Sequence, residues 1–137
     1  MIIKTSSPAF FAPVTLKQLD SHGALKEIKF DAQFKRIKQS AFDTLMQENQ
    51  LKQKQRQEAV DNGIDISEQA KQEAVDLINT HMVGWSGVQD EGKNNIPFST
   101  NELAELCEEY TGLLVAIVQA FYASFSPAAA AHLAAKN

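Results

Sequence analysis

The sequence predicts a mainly α protein with a small N-terminal β-hairpin, an α+β arrangement in which four helices pack in one compact domain. Three observations carry this expectation. Two short apolar runs flank Ser21-His22-Gly23-Ala24, the pattern of a hairpin around a glycine turn. From Phe34 onward the apolar residues recur at helical spacing. Between the second and third helical segments, Val83 to Ser99 holds three of the six glycines and the single tryptophan, so two helix pairs are divided by one folded loop.

A chain of 137 residues makes one domain with room for a real core. The reading divides it into an extended N-terminal arm (1–13), a single α+β domain (14–125) and an Ala-rich C-terminal tail (126–137). In the arm, Phe10 and Phe11 lie between two prolines, where the rings can dock on a partner or pack on the chain's own core. Val14 opens a strand expected to run to about Asp20, and Leu25 to about Asp31 returns with Ile28 and Phe30 alternating against Lys29 and Asp31. His22 is read as a turn residue. A hairpin alone is marginal in water, so it must pack on helices or pair with another chain.

The first helical stripe is Phe34, Ile37, Ala41, Phe42, Leu45 and Met46. It then fades: Gln47 to Glu58 keeps only Leu51 as a large apolar residue, so this half has little to bury and is either solvated or ordered by a partner. Asp61-Asn62-Gly63 ends it. Ser67 is expected to cap a second helix with the stripe Ala70, Ala74, Leu77, Ile78, His81 and Met82. No Cys or carboxylate lies at a ligand spacing from His81, which is read as a boundary histidine.

In the loop, Asp90-Glu91-Gly92-Lys93-Asn94-Asn95 is a polar turn between two apolar anchors, Trp85 with Val88 and Ile96 with Phe98. Phe98-Ser99-Thr100-Asn101-Glu102-Leu103 is the sharpest local signal. Ser99 and Glu102 make a capping box, and Phe98 with Leu103 makes the matching hydrophobic staple. The third helix carries Leu103, Leu106, Cys107 and Tyr110 inward and Glu102, Glu105, Glu108 and Glu109 outward. After Thr111-Gly112, the helix from Leu113 to Phe125 is apolar on nearly all sides. One chain of this size does not easily cover such a helix completely. Leu113, Leu114, Ile117, Val118, Phe121 and Phe125, with Phe10 and Phe11, are therefore the candidate protein-binding residues, while Trp85, Val88, Pro97, Phe98, Ser99 and Glu102 form a structural motif.

Several function classes lose support on the same residues. There is no phosphate-cradling glycine loop, no paired-cysteine metal site and no Ser/His/Asp nucleophile setting, so an enzyme, a metal and a cofactor are not expected. Asp90 and Glu91 lack the ligand pattern of a calcium loop and read as a solvated turn. A single cysteine excludes an intramolecular disulfide and fits a reducing compartment. The run Leu113–Phe125, interrupted by Gln119, falls short of the roughly 20 residues of a membrane span, and no secretory signal opens the sequence; a cytoplasmic protein is expected. Residues 1–58 hold ten Lys or Arg against six Asp or Glu, and residues 59–137 hold three against eleven. The basic residues are interleaved with acidic ones and lack stacking aromatics, which argues against nucleic acid. The charge split fits either two solvated halves or head-to-tail assembly of copies of the chain.

The series Gly84-Trp85-x-Gly87-Val88-x-Asp90, a polar turn, Ile96-Pro97-Phe98-Ser99 and then Glu102-Leu103 resembles the tail assembly chaperones of long-tailed bacteriophages. Upstream, a hairpin leading into Phe34-Lys35-Arg36-Ile37 and Phe42-Asp43 is similar, and so is Ala116-Ile117-Val118-x-Ala120-Phe121 in the last helix. The likeness spans about residues 14–125. It implies a non-catalytic chaperone of tail morphogenesis, acting in the host cytoplasm and absent from the finished virion. Such a protein binds the long helical tape measure protein, helps recruit tail tube subunits around it and is expected to form a homo-oligomer. The competing expectation is a structural minor tail or connector protein of the virion.

Overall fold

Alternation with period two runs through the N-terminal third of the chain, and it decides the architecture. The structure, a computed structural model, describes residues 8–126. Strand β1 spans Ala9–Leu19 and β2 spans Leu25–Lys35, paired antiparallel in continuous register from Ala9↔Lys35 to Leu19↔Leu25. Even-numbered residues of both strands point into the core: Ala12 and Val14 face it beside Phe30, Ala32 and Phe34, all buried. Asp20 closes the hairpin, its carboxylate accepting from the N–H groups of His22 and Ala24.

Helix α1 (Gln39–Asp61) and helix α2 (Ser67–His81) follow. The chain then re-enters the sheet as β3 (Met82–Ser86), antiparallel to β2, giving the order β1-β2-β3. Helix α3 (Thr100–Glu109) and helix α4 (Leu113–Ala123) complete the chain. Against β1 lies α4, with α2 and α3 beside it, so the helices cover one face of the sheet. Its heart is the edge-to-face pair Phe34–Phe121, centroids 5.2 Å apart, with both side chains fully buried. Burying each such ring stabilises the fold by roughly 1.5–3 kcal/mol.

Three expectations are corrected. The protein is not mainly helical with a small N-terminal hairpin; it is built on a three-stranded antiparallel sheet whose third strand arrives after two helices. Met82-Val83-Gly84-Trp85-Ser86 is too short to show alternation, and its pairing (Asp31↔Ser86, Gln33↔Gly84) joins residues more than fifty apart. Phe34 does not start a helix: it belongs to β2, and the helix begins at Gln39. The first strand begins at Ala9 and not at Val14, so Phe10 and Phe11 are strand residues. Pro13 is tolerated because the bonds Arg36 N–H to Pro8 O and Asp20 N–H to Ala24 O place the even residues toward β2. The donor that Pro13 lacks therefore faces the outer edge of the sheet. The Ala-rich tail beyond Ser126 and the first seven residues of the arm lie outside the described residues.

Candidate protein-interaction surface

Loop geometry fixes where the last two helices start. The Trp85 Nε1–H donates to Ile96 O at 2.7 Å, and the Trp85 ring meets Phe98 edge to face at 5.1 Å and Phe30 at 6.4 Å. Ile96 N–H donates to Val88 O, and Asp90 and Asn94 close the turn between them, so the two flanks return side by side. Lys93, with φ 62°, carries the left-handed step of that turn. The Ser99 hydroxyl accepts from Glu102 N–H at 3.0 Å, starting α3 where the sequence places it. Helix α2 starts differently from the expectation: Ile66 stands at its N-cap without a side-chain cap, and Ser67 is the first helical residue, its N–H and hydroxyl donating to the Asp65 carboxylate.

After α3 the chain reverses at Gly112, whose φ of 88° is left-handed, while Gln18 Nε2 donates to Thr111 O and ties the bend to the hairpin. This sets the rotation of α4, and the rotation sorts the candidate residues. Leu113, Ile117 and Phe121 are buried in the chain's own core with Ala120, so they hold the helix in place and present nothing to a partner. Leu114, Val118 and Phe125 are half-buried on its flanks, and Val115 is 58% exposed. Phe10 is half-buried as well, edge to face with Phe125 at 5.8 Å and covered by the Arg36 guanidinium at 5.4 Å. Phe11 sits on the opposite, outward face of β1 and is 55% exposed.

Two open clefts border α4. One lies between α1, α2 and α4, floored by Ala70, Ala74, Leu77, Val118 and Tyr122. The other runs between α2 and the start of α4, lined by Val75, Ala104, Cys107, Leu114 and Val115. Val115, Tyr122 and the α2 side of the first cleft are residues that sequence reasoning did not single out. The phase of a helix apolar on every side cannot be read from its own periodicity, because any rotation would bury an apolar stripe. Leu19 and Leu25, exposed and directly opposite each other at the hairpin tip, were also missed, although their symmetric placement about the turn was a visible signal.

Burial governs two of the titratable side chains on these cleft walls. Burial raises the Cys107 thiol above its ordinary value against a small opposing effect of Lys71, which keeps it protonated and inert. Burial likewise raises the Tyr122 phenol. Among the described residues no group of three or more His, Cys, Asp or Glu is arranged to hold a metal ion, and no helix is long and apolar enough to cross a membrane.

Apolar flanks on a fixed helix beside open clefts make a surface of the kind on which other polypeptides can dock. A family model described as phage tail assembly chaperone matches residues 2–130, nearly the whole chain, and the protein belongs to that family. No curated protein and no solved structure matches it.

Proposed function

We propose that this tail assembly chaperone binds the tape measure protein in the host cytoplasm and helps recruit tail tube subunits to it, without catalysis and without remaining in the virion. One observation carries the reading: α4 is apolar around nearly all of its circumference, Gln119 excepted, yet only one side of it is buried. Leu114, Val115 and Val118 remain on the uncovered sides, next to clefts that can receive apolar side chains of a partner helix. Many weak contacts of this sort along a repetitive helical partner give avidity while each stays reversible, which suits a factor displaced when tube subunits arrive. The charge split between the two halves of the chain supports assembly with further copies along the same partner.

The test is co-expression with the tape measure protein of the same phage. A soluble complex that is lost on Val115→Asp together with Val118→Asp is the expected result. Unchanged solubility of the tape measure protein would overturn the assignment, and stoichiometric presence of the chain in purified particles would favour a structural virion component instead.

A further inference from the structure

Helix α1 is long, 23 residues, and buries none of them. Its near end is held by Phe42, whose ring stacks on Phe125 at 4.5 Å. Further along, a half-exposed ion pair grips α2: Arg56 donates from Nη2 at 2.7 Å and from Nε at 3.2 Å to the Glu73 carboxylate. Between these two attachments α1 spans the cleft above Ala74, Leu77, Val118 and Tyr122. The side chains it turns toward that floor are Leu45, Glu48, Asn49, Lys52, Gln53 and Arg56, one helical face in which only Leu45 is apolar. A polar face thus lies over an apolar floor. The mismatch leaves the cleft open, with about 250 Å³ of space and no fully buried residue along it.

We infer that α1 is a displaceable strap, a stand-in for a partner helix that fits the same groove better. This rests on the chaperone reading above and names the recognition element within it. The occupant is an amphipathic α-helix that carries apolar residues where α1 has Asn49 and Lys52, and an Arg or Lys where α1 has Arg56. The helical shape follows from α1 itself, which already walls the groove with its i, i+3/i+4, i+7 face. The basic residue follows from charge: once Arg56 leaves, Glu73 stands partly buried at the cleft wall with only Gln69 donating to it, and a carboxylate there selects a cation. Displacement is feasible because the distal part of α1 has little to lose. Freed from α2, a helical segment of about fifteen residues is marginal in water and frays, and the turn at Gly63, with φ 77°, provides the joint.

The experiment is hydrogen exchange on the full-length chain, alone and with a probe peptide. The probe is the sequence of residues 39–61 carrying Asn49→Leu and Lys52→Leu. In the free chain, amides of residues 47–58 are expected to exchange at least tenfold faster than those of α4. Saturating probe should raise the α1 rates at least a further tenfold, and Arg56→Glu within the probe should weaken its binding by tenfold or more. Equal protection of α1 and α4, no binding of the probe, or binding that leaves α1 exchange unchanged would each overturn the strap. A chain that captures the probe but does not solubilise the tape measure protein would sink the partner assignment while leaving the strap intact.

Discussion

Trp85 and Phe98 stand perpendicular, centroids 5.1 Å apart at 89°, while the same indole N–H is held by Ile96 O at 2.7 Å. The pair joins β3 to the cap of α3, so the sheet and the last two helices share one hinge of aromatic packing. Losing it should uncouple them. Trp85→Phe keeps most of the ring contact but deletes the bond, leaving the Ile96 carbonyl to water, and should cost about 1 kcal/mol. Phe98→Ala removes the whole edge-to-face contact and the staple, and should cost about 2–3 kcal/mol. Urea unfolding of both variants checks the order, which inverts if the hydrogen bond dominates.

Gly112 has no such latitude. Its φ of 88° is a region that side-chain-bearing residues enter at a cost, and since a Cβ there would make only ordinary contact with Leu16 Cδ1 at 3.5 Å, that cost is one of backbone conformation. Gly112→Ala should therefore destabilise by about 1–2 kcal/mol, read as a lowered thermal midpoint. An Asn at the same site, which tolerates the left-handed region better, should recover part of the loss.

The two sides of α4 should answer mutation oppositely. Phe121→Ala opens a cavity in the core and should cost about 3–5 kcal/mol. Val115→Asp, on an exposed surface, should change stability by no more than about 0.5 kcal/mol while weakening partner binding. Paired denaturation and pull-down measurements separate these effects, and a Val115→Asp variant that binds as well as the parent would remove that side of the helix from the interface.

His81 predicts a pH dependence. Its ring stacks on Phe121 at 4.8 Å, and burial, with a smaller contribution from the Lys35 charge, lowers its pKa below the ordinary 6.5. The folded protein thus binds a proton less readily than the unfolded chain. The contribution is fully present above the unfolded value, diminishes as pH falls below it and levels off under the depressed folded value. The urea midpoint of the parent, compared with His81→Gln across pH 5 to 8, should show the parent losing stability selectively at the acidic end. Parallel curves would show that the stacked ring titrates as it does in the unfolded chain.

Much was legible without coordinates where the cause is local. The Ser99 cap, the glycine turn of the hairpin, the Asp90–Asn95 reversal and the fading stripe of α1 all follow from residues within a few positions of one another, and so do the starts of α3 and α4. Ser67 instead stands inside α2, Met82 belongs to β3, and α4 stops at Ala123, short of Phe125. Even the imbalance of α1, Leu51 alone among Gln, Lys and Arg, already marked a helix with nothing to bury. Less legible were the strand start at Ala9, hidden by two prolines, and Phe34, whose spacing to Ile37 and Ala41 mimics a helix while its spacing to Ala32 and Phe30 makes a strand.

By itself the sequence determined the turns, the Ser99 cap, three of the helices and the apolar character of the last one, because short-range sterics and hydrogen bonds set those outcomes. Only the tertiary structure decided that Met82–Ser86 is a strand, since its partner lies on β2 far away in the chain and five residues carry no period of their own. It also decided which side of α4 is core and which is surface. A helix apolar all round accepts any rotation equally, and the choice fell to the bend at Gly112 and to the ring of Phe34 waiting on the sheet.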